Sequence, residues 1–176
     1  MVLGILAEQL NSFESSTTCV GIILTGSERA FCAGAALEEI AALTASETRA
    51  FTELGQSTMN YVARFTKPVV AAIRGYCIGG GFDLALACRA RVATPDASFA
   101  HRGASLGIIT GWGGTQRLPR LVGGALASEI FVTGRTILAE EAAQVGLVRQ
   151  IVQPHDLISA ATQIIHRATR PPRSQS

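Results

Sequence analysis

Three consecutive glycines, Gly79-Gly80-Gly81, constrain this chain most. They follow the apolar stretch Val69–Arg74 and the segment Gly75-Tyr76-Cys77-Ile78, and they open onto Phe82-Asp83-Leu84-Ala85-Leu86. The order predicts a strand, a tight turn and a helix start. A helix N-terminus presents N–H groups that the helix cannot pair and a partial positive charge. Glycines there let another molecule approach the backbone. Such a turn suits an anion, or an oxygen that becomes anionic during a reaction. Tight strand–helix packing without a ligand accounts for the same pattern.

The rest of the chain alternates in the same way. Leu3, Leu6, Leu10 and Phe13 recur at helical spacing, so residues 2–15 read as an amphipathic helix. Residues 19–25 read as a buried strand and Phe31 to Gly34 as a short extended piece. Thr44 and Glu47 have the spacing of a capping box, opening a helix with Phe51, Leu54, Val62 and Phe65 inward and Pro68 as its stop. Short strands at 91–94 and 97–100 flank a Pro95-Asp96 turn, and a glycine-dense loop spans 103–114. Helices follow at 116–121, 125–132 and 138–144, then a strand at 148–152 and a helix at 154–168. Strands alternating with helices predict an α/β fold with parallel pairing.

Composition excludes several classes. The 176 residues are 48% apolar and 16% charged, with a net charge of +2, so most of the chain should fold and no basic stripe marks a nucleic-acid binder. Lys67 is the single lysine and sits beside Pro68 in an expected surface turn, a poor place for a nucleophile. Cys19, Cys32, Cys77 and Cys88 lack metal-site spacing and read as buried reduced thiols. No apolar run approaches the ~20 residues that span a bilayer. The N-terminus has no basic region and no cleavage site of a signal peptide, so the expected location is cytoplasmic, or an organelle matrix. We expect no metal, no membrane partner and no nucleic acid.

Candidate chemistry is sparse. The chain has neither a phosphate-binding G-x-x-x-x-G-K-[ST] nor a G-x-S-x-G nucleophile elbow. Asp83 lies in the first turn after the glycines, where a carboxylate serves either the helix dipole or acid–base chemistry. Asp96 reads as a turn residue, and His155 and His166 as solvated. His101 precedes the glycine-dense loop and is a candidate to face a cleft.

Three segments occur in order: Ala30-Phe31-Cys32-Ala33-Gly34-Ala35, Gly75-Tyr76-Cys77-Ile78-Gly79-Gly80-Gly81, and Gly113-Gly114-Thr115-Gln116-Arg117-Leu118-Pro119-Arg120. Thr133-Gly134, Ala139-Glu140-Glu141-Ala142 and Gly146-Leu147-Val148 follow. Together they resemble the enoyl-CoA hydratase/isomerase (crotonase) family from about residue 2 to about residue 165. The resemblance implies a spiral of stacked ββα turns, an acyl-CoA thioester substrate and no cofactor beyond the coenzyme A it carries. It implies that the Ala35 and Gly80 N–H groups hold the thioester oxygen as it becomes an enolate, with Asp83 as the catalytic carboxylate. Ala33 and Ala35 would line the adenine pocket, and Gly79, Gly80, His101 and Gly103 the rest of the substrate site. It also implies a homotrimer or hexamer.

The sequence departs from the family at four places. Ala36 stands where the family usually caps a helix with Asp, and Arg89 where it often has Asp. Asp83 stands for the first catalytic glutamate of hydratases, as in dienoyl-CoA isomerases, and Gly103 for the second. Hydration is therefore expected to be poor, isomerisation by a single base is the nearest enzymatic alternative, and Gly103→Glu is expected to raise hydration. A non-catalytic, truncated thioester binder is the alternative outside enzymes. Relative to the family, residues 1–169 read as an incomplete domain, without the N-terminal strand pair and most of the C-terminal helical region; self-association should be weakened accordingly. Residues 170–176 read as a disordered tail.

Overall fold

The chain winds as a spiral whose first six strands alternate between two sheets. A computed structural model describes residues 2–169, apart from the Glu39 side chain. The expected tail at 170–176 lies outside the described residues. Helix α1 (Val2–Glu14) precedes the first turn of the spiral, β1 (Ile22–Thr25), β2 (Ala30–Cys32), the short α2 (Leu37–Ala41) and α3 (Ala45–Arg64). The second turn is β3 (Val69–Ile73), β4 (Tyr76–Ile78) and α4 (Gly80–Ala87). The third is β5 (Ala90–Ala93) and β6 (Ser98–Ala100), followed by a 3₁₀ turn at Arg102–Leu106, α5 (Gly114–Val122) and α6 (Gly124–Thr133). Strand β7 (Ile137–Leu138), α7 (Ala139–Gln144), β8 (Gln150–Ile151) and α8 (Leu157–Thr169) complete the order.

The first strand of each turn joins one sheet, in the order β1-β3-β5-β8, and the second joins the other, β2-β4-β6-β7. All pairings are parallel except β6 with β7. The expectation of parallel pairing holds for the spiral, and the antiparallel β7 is a two-residue edge too short for periodicity to signal.

Strand β3 explains its unbroken apolar sequence, since all five residues are buried. Val70 and Ala72 face α8, where they meet Ala161, Ile164 and Ile165. Val69, Ala71 and Ile73 belong to the main core with Phe82, Phe99 and Leu118. A parallel strand covered on both faces needs this run rather than alternation. The α3 capping box forms as expected, with the Thr44 side chain accepting from the Glu47 N–H and Glu47 accepting from the Thr44 N–H. The inward face of α3 differs from expectation: Gly55, Thr58, Met59 and Val62 are buried, while Phe51, Leu54 and Phe65 are half-buried. Gly55 displaces the packing centre because Trp112 fills the space beside it.

All four cysteines are free thiols, with Cys77 and Cys88 buried and Cys19 and Cys32 half-buried, so the expectation of burial fails for the latter two. Lys67 donates from Nζ to the carbonyls of Phe13 and Ser16, both at 2.6 Å, and pins the end of α1. Arg91 is a buried cation with no carboxylate partner among the described residues; it donates to the carbonyls of Ala85, Cys88 and Leu147 and ties α4 to the segment before β8. Among the described residues, no helix is long and apolar enough to cross a membrane.

Candidate active site

Two backbone turns meet where β2 ends and α4 begins. After β2 the chain turns at Gly34, with φ +98°, and passes through Ala35 and Ala36 into α2. After β4 it turns at Gly79, with φ +56°, into Gly80, the first residue of α4. Side chains rarely tolerate either backbone conformation. Register pairing of Cys32 with Cys77 brings the turns side by side. A Cβ on Gly34 would lie 3.6 Å from the Gly80 nitrogen and 3.8 Å from the Gly79 Cα. The Ala35 N–H makes no hydrogen bond among the described residues, and the Gly80 N–H is one that α4 cannot pair internally. Two donors with no partner among the described residues thus lie in adjacent turns. Ala33 is exposed beside them. Ala36 caps α2 without a side-chain bond, as its substitution for Asp predicts.

Trp112 closes one side of this place. A Cβ on Gly80 would lie 2.9 Å from Trp112 Cε3 and overlap the far edge of the ring, and a Cβ on Gly55 would overlap the pyrrole edge. The indole therefore lies between α3 and the start of α4, with the Phe51 ring 5.1 Å away. Beyond it opens a polar cavity of about 360 Å³ lined by Gln56, Asn60, Arg117 and Arg120, among others.

Asp83 lies one turn into α4 and is 2% exposed. Thr110, from the glycine-dense loop, donates its hydroxyl to Asp83 Oδ2. Burial raises the Asp83 carboxyl from 3.8 to about 6, against the opposing pull of the Thr110 bond, the Arg117 charge and the Gly114 N–H. Gly114 must be glycine for this contact, because a Cβ there would overlap Asp83 Oδ1 and sit 3.0 Å from His101 Nε2. His101 is 4% exposed, and burial lowers its imidazole from 6.5 to about 4. A carboxyl that titrates near 6 is ionised at neutral pH and close enough to it to exchange protons in both directions.

Gly103 lies in the 3₁₀ turn, its carbonyl accepting from the Ile108 N–H at 3.0 Å. A Cβ at Gly103 would overlap the Ile108 carbonyl oxygen. The expectation that Gly103→Glu restores a carboxylate to the site is thereby corrected: the loop is folded for glycine and must be rebuilt to admit the side chain. Of the residues singled out from sequence, Ala35, Gly79 and Gly80 converge at the paired turns, and Asp83 and His101 converge one turn deeper. Trp112 and Thr110 escaped the sequence reading, and Gly114 entered it only as part of a segment that carries the resemblance. A bulky aromatic within a glycine run was the available signal for Trp112, and nothing local marked Thr110 as the partner of a residue 27 positions away.

Known proteins resemble this chain in sequence and in fold. A family model described as "Enoyl-CoA hydratase/isomerase" matches residues 3–175. The crotonyl-CoA hydratase of Syntrophomonas wolfei is 42% identical over 147 residues, 83% of this chain and 56% of that protein. The short-chain-enoyl-CoA hydratase of Clostridium acetobutylicum is 37% identical over 159 residues, 90% of this chain and 61% of its own length. The crystal structure of an enoyl-CoA hydratase from Bacillus anthracis superposes with a TM-score of 0.90 at 40% identity, covering 97% of this chain and 67% of that one. This chain thus spans less than two thirds of the length of both curated relatives.

Proposed function

This chain belongs to the enoyl-CoA hydratase/isomerase (crotonase) family, and from that premise we propose that it acts on acyl-CoA thioesters through an enolate. The thioester oxygen would accept from the Ala35 and Gly80 N–H groups. The proximity of these two turns, 3.6 Å between the Gly34 Cβ position and the Gly80 nitrogen, is the observation that carries the reading. Fixed backbone donors aimed at a developing oxyanion contribute roughly 10²–10³-fold each. Asp83, ionised at neutral pH, is the base that takes the proton next to the thioester.

A single carboxylate favours moving a double bond over adding water. Syn hydration needs a water activated between two acid–base groups, and Gly103 holds no proton. Isomerisation needs one base that takes a proton from one carbon and returns it to another. The acyl group is short. The Trp112 indole stands against Gly80 and leaves little room for a long chain beside the donors. The names of the two curated relatives, crotonyl-CoA hydratase and short-chain-enoyl-CoA hydratase, agree with that size.

The test is a turnover screen of the purified chain against short, medium and aromatic enoyl-CoA thioesters, with calorimetric titration of Gly80→Val. Short-chain turnover and loss of acyl-CoA binding in Gly80→Val are expected. Unchanged affinity in that variant would exclude the paired turns as the thioester site.

A further inference from the structure

The two oxygens of Asp83 have different surroundings. Oδ2 accepts from Thr110, whereas Oδ1 is buried beside the Gly114 backbone, has no side-chain hydrogen-bond partner among the described residues and faces His101 Nε2 at 3.6 Å. His101 Nε2 is equally buried and has no hydrogen-bond partner among the described residues. Unpaired polar atoms are costly in a dry site, so two that face each other need an explanation. The imidazole has no easy route to water. Phe82 stacks on it with ring centroids 4.8 Å apart, and Phe131 leans on it at 5.3 Å.

We propose that His101 is the proton partner of Asp83, and that Oδ1 and Nε2 pass one proton between them as a single acid–base unit. The proposal rests on the reading of Asp83 as the base. In the forward step a substrate C–H bond breaks, its electron pair becomes the enolate, and the proton goes to the Asp83 carboxylate. The carboxyl O–H then breaks as an N–H bond forms at His101 Nε2, leaving a carboxylate and an imidazolium. The reverse transfer returns the proton to another carbon, so protons and electrons balance without any further reactant. His101 touches no substrate in this scheme; it is a positioning residue that stores the proton and orients Oδ1.

The surroundings suit the role. Thr110, the Gly114 N–H and the Arg117 guanidinium act on Asp83. The ring of His101 meets Phe82, Phe131 and Asp83, so Asp83 is the charged group that faces it. His101 also lies two residues before Gly103, where hydratases of the family carry their second carboxylate. The chain thereby keeps a second proton-holding group in a different chemical form and at a different position.

The experiment follows the His101 imidazole resonances through a pH titration in the wild type and in Asp83→Asn. A proton shared by the pair moves the His101 resonances as Asp83 takes it up near pH 6, so the apparent His101 midpoint should fall from there toward the imidazole's own value near 4 in Asp83→Asn. This arm requires no turnover. The second arm measures kcat, KM and their pH dependence in His101→Gln. A loss of roughly 10²-fold in kcat with unchanged KM, together with a displaced acid limb, is expected. An unmoved His101 midpoint alongside an inactive Asp83→Asn overturns the pairing and leaves the base reading intact. Wild-type turnover in Asp83→Asn overturns the base reading and the proposal with it. Wild-type kcat and pH profile in His101→Gln overturn the proposal alone.

Discussion

Removing either member of the Asp83–His101 pair should tilt the dependence of stability on pH, and in opposite directions. In the folded protein the Asp83 carboxyl is raised from 3.8 to about 6, so between those values the native state binds more protons than the unfolded chain. Its contribution is fully present below about pH 4 and is lost as pH rises through 6. His101 is lowered from 6.5 to about 4, so there the unfolded chain binds more. Its contribution is fully present above 6.5 and is lost as pH falls through 4. At 1.36 kcal/mol per pH unit each group carries roughly 3 kcal/mol, and in the wild type the two nearly cancel. Asp83→Asn leaves the histidine alone, so its stability should rise by about 3 kcal/mol from pH 4 to 6.5 relative to wild type. His101→Gln leaves the carboxyl alone, so its stability should fall by a similar amount over the same range. Urea unfolding at half-unit pH steps reads both slopes, with the wild type as the common baseline. Slopes parallel to wild type in both variants would refute the burial of these groups as ionisable partners.

Other perturbations test separate parts of the structure. Ala36→Asp supplies α2 with the side-chain cap it lacks and should stabilise by about 1 kcal/mol in chemical denaturation. Arg91→Leu removes three buried hydrogen bonds to the carbonyls of Leu147, Ala85 and Cys88 and should destabilise by roughly 3 kcal/mol, read from urea midpoints. Gly103→Glu should lower the melting temperature without raising crotonyl-CoA hydration, because its Cβ meets the Ile108 carbonyl. Trp112→Ala should shift relative kcat/KM from short toward medium-chain enoyl-CoA thioesters; an unchanged profile would remove Trp112 from specificity.

The sequence made local features legible and left long-range contacts hidden. The buried run at 69–73, the capping box at Thr44 and the glycine turn before Asp83 each depend on neighbouring residues, and each forms where expected. Division of the strands between two sheets depends on which strands pair after a full turn of chain, and alternation of elements alone does not encode it. Thr110 reaches Asp83 across 27 positions and Trp112 reaches Gly55 across the helix interface, so neither contact leaves a spacing signal. His101 was visible as a candidate, but its orientation toward Asp83 depends on the Phe82 and Phe131 rings that hold it. Gly103 was visible as the loss of a carboxylate, whereas its closure by Ile108 required the folded loop.

Enolate formation itself is measurable without a complete catalytic cycle. In deuterium oxide, base-catalysed enolisation replaces the hydrogens next to the thioester with deuterium, and proton NMR of butyryl-CoA or 3-butenoyl-CoA follows their loss. The account predicts exchange with the wild-type chain at neutral pH, none above background with Asp83→Asn, and none with Gly80→Val. Absence of exchange in the wild type, or exchange that survives in Asp83→Asn, would contradict it.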